Sequence, residues 1–205
     1  MPIIHVGPQP KVTAADVPIS LLDNDSLIVQ LHFTINHLSR WLTPIHNQTL
    51  LERTIYRDMP TVRELVIRMR NEELRVFPKM FLIASEQNPD LDKLPPVTRT
   101  AEERRWDEFS GTLSVLAEFR RLRQSTASLL RSIPDSAWRR VGTSRQEHDW
   151  QLRALAELLV AHDREVLGEI DRTLDAIGVR DDIAEVSRVH LEELLKITPV
   201  TLKAQ

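Results

Sequence analysis

The chain of 205 residues contains no cysteine and only five glycines, and it has no long uninterrupted run of apolar residues. Without cysteine, a thiol nucleophile, a thiolate metal site and a disulfide framework are all excluded. A membrane helix needs about 20 consecutive apolar residues, so we expect no membrane partner. The sequence also has no Gly-rich phosphate loop and no nucleophile elbow. These absences remove several enzyme classes and fit a cytoplasmic protein.

The charges of the chain nearly balance. Twenty-seven Lys and Arg residues stand against 30 Asp and Glu residues, which gives a formal net charge of −3. This balance lacks the basic excess that is typical of nucleic-acid binding, so we expect no nucleic-acid partner. A domain of this length buries roughly 70% of the surface that its unfolded chain exposes, which is enough for a stable core without a structural metal. A bound metal would therefore be expected to take part in a reaction rather than to stabilise the fold.

Apolar residues recur at the spacing of three and four that is typical of helices. Two capping-box patterns, at Thr61 with Glu64 and at Thr100 with Glu103, predict where the second and third helices begin. The third helix is predicted to run without a break to Pro134. The first two apolar residues on its inward stripe are Trp106 and Phe109.

The fourth helical pattern begins near Asp149 and ends at Gly178, a residue that commonly terminates helices. Asp163 and Glu165 are predicted to flank its inward stripe and point sideways. A shorter fifth helix is predicted from about Asp182 to Ile197. The predicted inward positions of the fourth helix are Leu152, Leu155, Leu159, His162, Val166, Ile170, Leu174 and Ile177. Four long amphipathic helices predict an all-α helix bundle, whose interior is the usual place for a ligand or metal site.

Three stretches of the sequence resemble a known superfamily. The segment "WRRVG" at 138–142, followed about twenty residues later by "AHDREVLGEI", is similar to the carboxy-terminal half of the DinB-like and YfiT-like proteins, which include mycothiol-dependent maleylpyruvate isomerases. The segment "TVRELVIRMRNEEL" is similar to their second helix. The resemblance implies an up-down-down-up four-helix bundle over residues 20–178. An extended N-terminal arm at 1–19 and a C-terminal helix and tail at 179–205, packed on the bundle, complete the predicted organisation.

The resemblance further implies a homodimer and, in active members, a divalent metal held by three histidines. The metal supports reactions that use low-molecular-weight thiols. The corresponding positions here are Arg68, His162 and Val166, so one histidine of three is present. Valine has no donor atom and a guanidinium has no free lone pair, so this triad cannot bind a metal. No cofactor is therefore expected at these positions.

Two alternatives follow for the site. A site for a divalent metal (Zn or Ni) could be rebuilt from His162, Glu169 and His32. Such a site would retain thiol-transferase or hydrolase activity. Alternatively, Arg68 replaces the ion as the positive centre and pairs with Glu72 or Glu169 beside His162. The cleft is then either closed by this pair or binds a small anionic ligand, because a guanidinium suits a carboxylate or phosphate.

The resemblance places Trp138 and Arg140 in a turn at the mouth of the cleft. Two roles follow for them: contact with a substrate or, for the tryptophan, packing of the turn against the bundle. Three function classes follow from the sequence. The first, which we favour, is a bundle without the usual metal site that binds a small ligand or a partner. The second is a metal-dependent enzyme with a rebuilt site. The third is a structural homodimer with a filled cleft.

Overall fold

A computed structural model describes residues 12–54, 57, 59–180, 183 and 188–204 of the chain. Within these ranges the helices are α1 (Asn24–Leu42), α2 (Val62–Ser85), α3 (Ala101–Phe109), α4 (Thr112–Ser132), α5 (Leu152–Ala176) and α6 (Leu191–Ile197). Two short antiparallel strands, β1 (Val141–Gly142) and β2 (Trp150–Gln151), precede α5. No helix in the described ranges is both long enough and apolar enough to cross a membrane. The predicted all-α class is confirmed.

Side-chain contacts fix the relative directions of the four long helices. Contacts between α2 and α4, and between α1 and α5, advance together along both helices, so each of these pairs is parallel. Contacts between α2 and α5 advance in opposite senses, so these helices are antiparallel. The contacts are Arg70–Glu118 and Glu73–Arg123 for α2 with α4, Asn24–Arg153 and Thr34–Asp163 for α1 with α5, and, for α2 with α5, Arg68–Glu169 together with Glu73 and Asp163, which both bind Arg123. The bundle formed by α1, α2, α4 and α5 therefore runs up-down-down-up, as predicted.

Local capping chemistry sets several helix ends. Both predicted capping boxes are present: the side chains of Thr61 and Thr100 accept from the backbone of Glu64 and Glu103, whose carboxylates bond back to the capping residues. These bonds satisfy amide groups that have no partner inside the helix. After α5, Gly178 adopts φ +72°, a left-handed conformation that glycine adopts without strain. The helix ends predicted from these motifs are confirmed.

The prediction of an unbroken third helix is wrong. This helix is divided into α3 and α4, because Ser110 and Gly111 both have extended backbone conformations. Trp106 and Phe109 lie on α3, which contains no buried residue, and they are 39% and 78% exposed rather than inward. The division turns α3 away from the core, so the inward stripe begins only with α4.

The two ends of the described chain are joined. The Ala14 and Ala15 amides donate to the Thr198 and Leu195 carbonyls at 2.8 and 3.2 Å, and the Val200 amide donates to the Val12 carbonyl at 3.1 Å. The described part of the predicted N-terminal arm is thus tied to the C-terminal segment. The first eleven residues lie outside the described residues, as do 182 and 184–187 of the predicted fifth helix. Residues 188–190 are not helical, so the described helix begins at Leu191 rather than near Asp182.

Candidate cleft between α2 and α5

A cleft of about 490 Å³ lies beside α2 and α5, with Val97 and Arg99 on the connection to α3 forming its other wall. Its titratable lining residues are Glu64, Arg68, Glu72, Arg75, Arg99 and His162. The positions that the sequence analysis selected on α2 therefore meet the selected histidine of α5. The spacing of Arg68 and Glu72, one helical turn, places both side chains on the same face of α2.

Each arginine of the cleft is paired with a carboxylate. Arg68 Nη2 lies 2.5 Å from Glu169 Oε1, so the partner in the predicted pair is Glu169. Glu72 instead accepts two bonds from Arg75, from Nε at 2.9 Å and Nη2 at 2.5 Å. The Arg75 hydrogen bonds hold the pKa of Glu72 below its ordinary value, so this carboxylate is ionised at neutral pH.

Arg68 is not a buried guanidinium. Its side chain is 41% exposed, and that of Glu169 is 22% exposed. An ion pair in contact with water contributes at most about 1 kcal/mol, so the Arg68–Glu169 pair adds little to the stability of the fold. Only Nη2 of Arg68 bonds to Glu169, and the cleft beside it is open. Of the two predicted alternatives, closure of the cleft by this pair is therefore not observed.

His162 is half-buried on the α5 side of the cleft. Its Nδ1 is shielded from solvent and has no hydrogen-bond partner among the described residues. Burial lowers the pKa of His162 and Arg68 lowers it further, while Asp163 and Glu72 act in the opposite direction. The imidazole is therefore neutral at neutral pH, and its ring can donate or accept one hydrogen bond at the cleft.

Other predicted site residues lie outside this cleft. Val166 is fully buried in the core, and Trp138 is 3% exposed in a second core cluster. Arg140 donates from Nη1 to the Ala84 carbonyl at 2.5 Å, near the end of α2. Glu169 reaches the cleft only through its bond to Arg68. Neither Trp138 nor Arg140 is among the residues that line the cleft.

The substitute metal site of His162, Glu169 and His32 is not assembled. His32 does not line the cleft. Burial lowers its pKa most, and the nearby Arg131 and Arg123 lower it further. In the described part of the chain, no group of three or more His, Cys, Asp or Glu residues is placed to hold a metal ion. A catalytic metal needs about three protein donors, so the described residues do not fit one.

The buried side of α5 carries a charge network that the sequence analysis missed. Arg123 of α4 is fully buried and donates from Nε to Glu73 Oε2 at 2.8 Å and from Nη2 to Asp163 Oδ1 at 3.0 Å. Thr34 of α1 donates to Asp163 Oδ2 at 2.7 Å, and Thr126 donates to Glu73. All four bundle helices contribute, so the network joins them at the centre of the bundle.

The predicted sideways position of Asp163 is therefore wrong. Asp163 is 2% exposed and points inward, whereas the adjacent His162, which was predicted inward, is only half-buried. A buried carboxylate is costly unless it is paired and hydrogen-bonded, and Arg123 and Thr34 provide both. Periodicity alone assigns charged residues outward, because the compensating partner is far away in sequence.

Glu73 gives a prediction on the pH dependence of stability. Burial raises the pKa of Glu73 despite the opposing effect of Arg123, so the folded state holds this proton more tightly than the unfolded state. Stability should then fall as the pH rises from about 4.3, the ordinary glutamate value, through the raised pKa. We expect Glu73→Gln to remove this loss, so that its stability relative to the native protein increases from pH 4 to pH 8. Urea denaturation across this range measures the difference.

Glu72→Gln is the matched control, because the pKa of Glu72 is shifted in the opposite direction. A carboxylate with a lowered pKa contributes stability above its unfolded value, and this contribution disappears as the pH falls. The glutamine variant at position 72 should therefore lose stability at neutral pH and match the native protein in acid. Parallel pH profiles for the two variants would contradict the assignment of opposite shifts.

Comparison with known proteins identifies the fold. No protein-family model and no curated protein sequence matches the chain. Among solved structures, YfiT from Bacillus subtilis, a probable metal-dependent hydrolase with an unusual four-helix bundle topology, matches with a TM-score of 0.59 and 17% identity, over 84% of this chain and 93% of YfiT.

A mycothiol-dependent maleylpyruvate isomerase also matches, with a TM-score of 0.52 and 17% identity, over 86% of this chain and 68% of the isomerase. A mutant of this isomerase matches with a TM-score of 0.50 and 16% identity. The alignments with YfiT and the isomerase cover 84% and 86% of this chain. The chain therefore has a four-helix bundle fold similar to the folds of YfiT and the isomerase.

Proposed function

We propose that this protein binds a small anionic ligand, a carboxylate or a phosphate, in the cleft between α2 and α5. The observation that carries the proposal is the open cleft beside Arg68, whose guanidinium is only partly used by Glu169. Arg75 on the same wall bonds to Glu72 through Nε and one Nη atom. A guanidinium carries five N–H groups, so both arginines keep donors for a ligand.

The cleft holds its charges in a form that suits an anion. The negative charge of Glu72 is compensated by two hydrogen bonds from Arg75, and Glu64 is engaged in the capping box with Thr61. His162 is neutral and adds a hydrogen-bonding group without adding charge. An anion beside Arg68 would therefore meet N–H donors, because the nearby carboxylates of Glu64 and Glu72 are already hydrogen-bonded to other groups of the protein.

A metal-dependent hydrolase or isomerase is the alternative that the fold likeness favours. The described residues of the cleft oppose it, because Arg68 places a cation at a predicted ligand position and Val166 is withdrawn into the core. We propose that the three-histidine metal site has been lost in this chain and that the cleft has been converted to ligand binding. The homodimer that the resemblance implies stays a prediction.

The proposal predicts that small anions stabilise the folded protein. A ligand at ten times its Kd raises the free energy of unfolding by about 1.4 kcal/mol, so titration with acetate or phosphate at constant ionic strength should raise Tm. We expect Arg68→Gln to remove this increase. Arg121→Gln, which changes an exposed arginine of α4, should keep it.

Two results would contradict the proposal. Equal stabilisation of the native protein and the Arg68→Gln variant would show that the anions act elsewhere or through general salt effects. A stoichiometric metal in the purified protein, measured by elemental mass spectrometry without added ions, would show that the metal ligands have been replaced rather than lost. The enzyme alternative would then be the better proposal.

A further inference from the structure

The segment 95–109 lies between α2 and α4 in the chain, includes α3 and contains no buried residue. Arg99 and Asp107 are half-buried, and every other residue of the segment is exposed. The exposed residues include both of its aromatic side chains, Trp106 and Phe109. We call this segment the strap. Because the strap adds no buried residue to the hydrophobic core, apolar packing contributes little to holding it in place.

The two half-buried residues of the strap bind it to the bundle through charge. Asp107 accepts two hydrogen bonds from the fully buried Arg70 of α2, from Nη1 at 2.6 Å and from Nη2 at 2.9 Å. Arg99 donates from Nη1 to Glu118 of α4 at 3.3 Å. Within the strap, Arg99 also donates to Asp107, from Nε at 3.1 Å and from Nη2 at 2.8 Å. Among these bonds, movement of the strap as a unit breaks only those to Arg70 and Glu118.

The strap is fixed at both of its ends. Before it, Leu91 is buried, and its amide donates to a carbonyl just after β1 at 2.8 Å. At the other end, Arg63 of α2 donates from Nε to the Ser110 carbonyl at 2.7 Å and from Nη2 to the Asp107 carbonyl. Ser110 and Gly111 have extended backbones between α3 and α4, so they can absorb a change in φ and ψ, as hinge residues do. The middle of the strap can therefore move away from α2 while its ends stay in place.

The strap forms one wall of the cleft between α2 and α5. Val97 and Arg99 of the strap line this cleft together with Arg68 and His162. Movement of the strap away from α2 would remove this wall and expose the cleft to water. With the strap in place, an anion beside Arg68 has less contact with water, and its attraction to the guanidinium is stronger. A ligand in the cleft should therefore favour the closed position of the strap.

We propose that the strap is a lid that opens and closes the anion cleft, is held shut by charge, and is favoured in its closed position by a bound ligand. This inference rests on the proposed function, because it assigns a regulation to the same cleft. The bond between Asp107 and Arg70 holds the lid shut, and the contact of Arg99 with α4 supports it. The side chains of Asp107 and Arg99 are each 18% exposed, so water is at hand to replace these contacts. Arg70 keeps Glu118 as a partner when Asp107 leaves, and opening is therefore a local event that keeps the bundle intact.

Hydrogen exchange measured by mass spectrometry tests the role of Asp107. Asp107→Asn keeps the size of the side chain and removes its charge, so we expect the amides of α3 to exchange about tenfold faster than in the native protein. Glu108→Gln, which changes an exposed neighbour on α3, is the matched control and should exchange like the native protein. The amides of α4 should be unchanged in both variants, which shows in the same samples that each variant is folded.

Acetate tests the coupling of the strap to the cleft. At constant ionic strength, a saturating concentration of acetate should slow exchange of the α3 amides in the native protein about threefold, because the ligand favours the closed strap. In Arg68→Gln, the same concentration should leave exchange of these amides unchanged. The α4 amides again serve as the internal reference.

The outcomes separate this inference from the proposed function. Equal exchange of the α3 amides in the native protein and in Asp107→Asn would overturn the inference, because the strap would not be held by charge. If acetate raises Tm through Arg68 but leaves exchange of α3 unchanged, the lid is overturned and the anion site stands. Absence of any acetate effect on Tm would overturn the proposed function, and the regulation of the cleft with it, whatever the result for Asp107→Asn.

Discussion

Replacement of Arg123 by methionine is expected to lower the free energy of unfolding by about 3–5 kcal/mol, because it leaves buried carboxylates without their cation. Glu73 and Asp163 are both buried, and both accept hydrogen bonds from this guanidinium. Methionine is closer in volume to arginine than alanine is, so the loss of stability reflects the missing charge more than the creation of a cavity. Urea denaturation at neutral pH measures the change.

Two controls test this explanation of the Arg123→Met result. Arg121→Met removes an exposed arginine of the same helix and should change stability by less than about 0.5 kcal/mol. A triple variant with Arg123→Met, Glu73→Gln and Asp163→Asn removes the charges together and should recover a large part of the loss. A triple variant less stable than Arg123→Met would show that the network contributes mainly through packing.

The features of the fold that were predicted from sequence depend on neighbouring residues. Capping boxes involve residues three positions apart, as at Thr61 and Glu64, and the end of α5 at Gly178 depends on a single residue. The break between α3 and α4 has a local signal too, in the Ser110–Gly111 dipeptide, but the apolar residues on both sides imitate one continuous stripe. The pattern of Trp106 and Phe109 therefore predicted burial that does not occur.

The site was predicted in part because its two halves lie on regular helices. The one-turn spacing of Arg68 and Glu72 and the position of His162 brought these residues to one cleft. The choice of Glu169 rather than Glu72 as the partner of Arg68 could not be predicted, because it depends on Arg75 engaging Glu72 first. Asp163 and Arg123 are forty residues apart, and neither residue identifies the other in a single sequence.

Replacement of Trp138 by alanine is the second large expected effect, and it tests the role of the turn before β1. Trp138 is 3% exposed and belongs to a core cluster with Leu130, Leu152 and Leu155. Removal of a buried aromatic side chain costs about 3–5 kcal/mol, since both the transfer free energy and the packing contacts are lost. We expect this loss in urea denaturation, together with an unchanged Kd for acetate under conditions where the variant is folded.

Trp106→Ala is the matched control, because Trp106 is 39% exposed on α3 and its removal should change stability by less than about 0.5 kcal/mol. If Trp138→Ala weakens acetate binding while the protein is still folded, the tryptophan contributes to the ligand site as the sequence resemblance implied. If only stability falls, the side chain packs the turn against the bundle. Its absence from the cleft lining favours the second result, since a ligand beside Arg68 would have no direct contact with it.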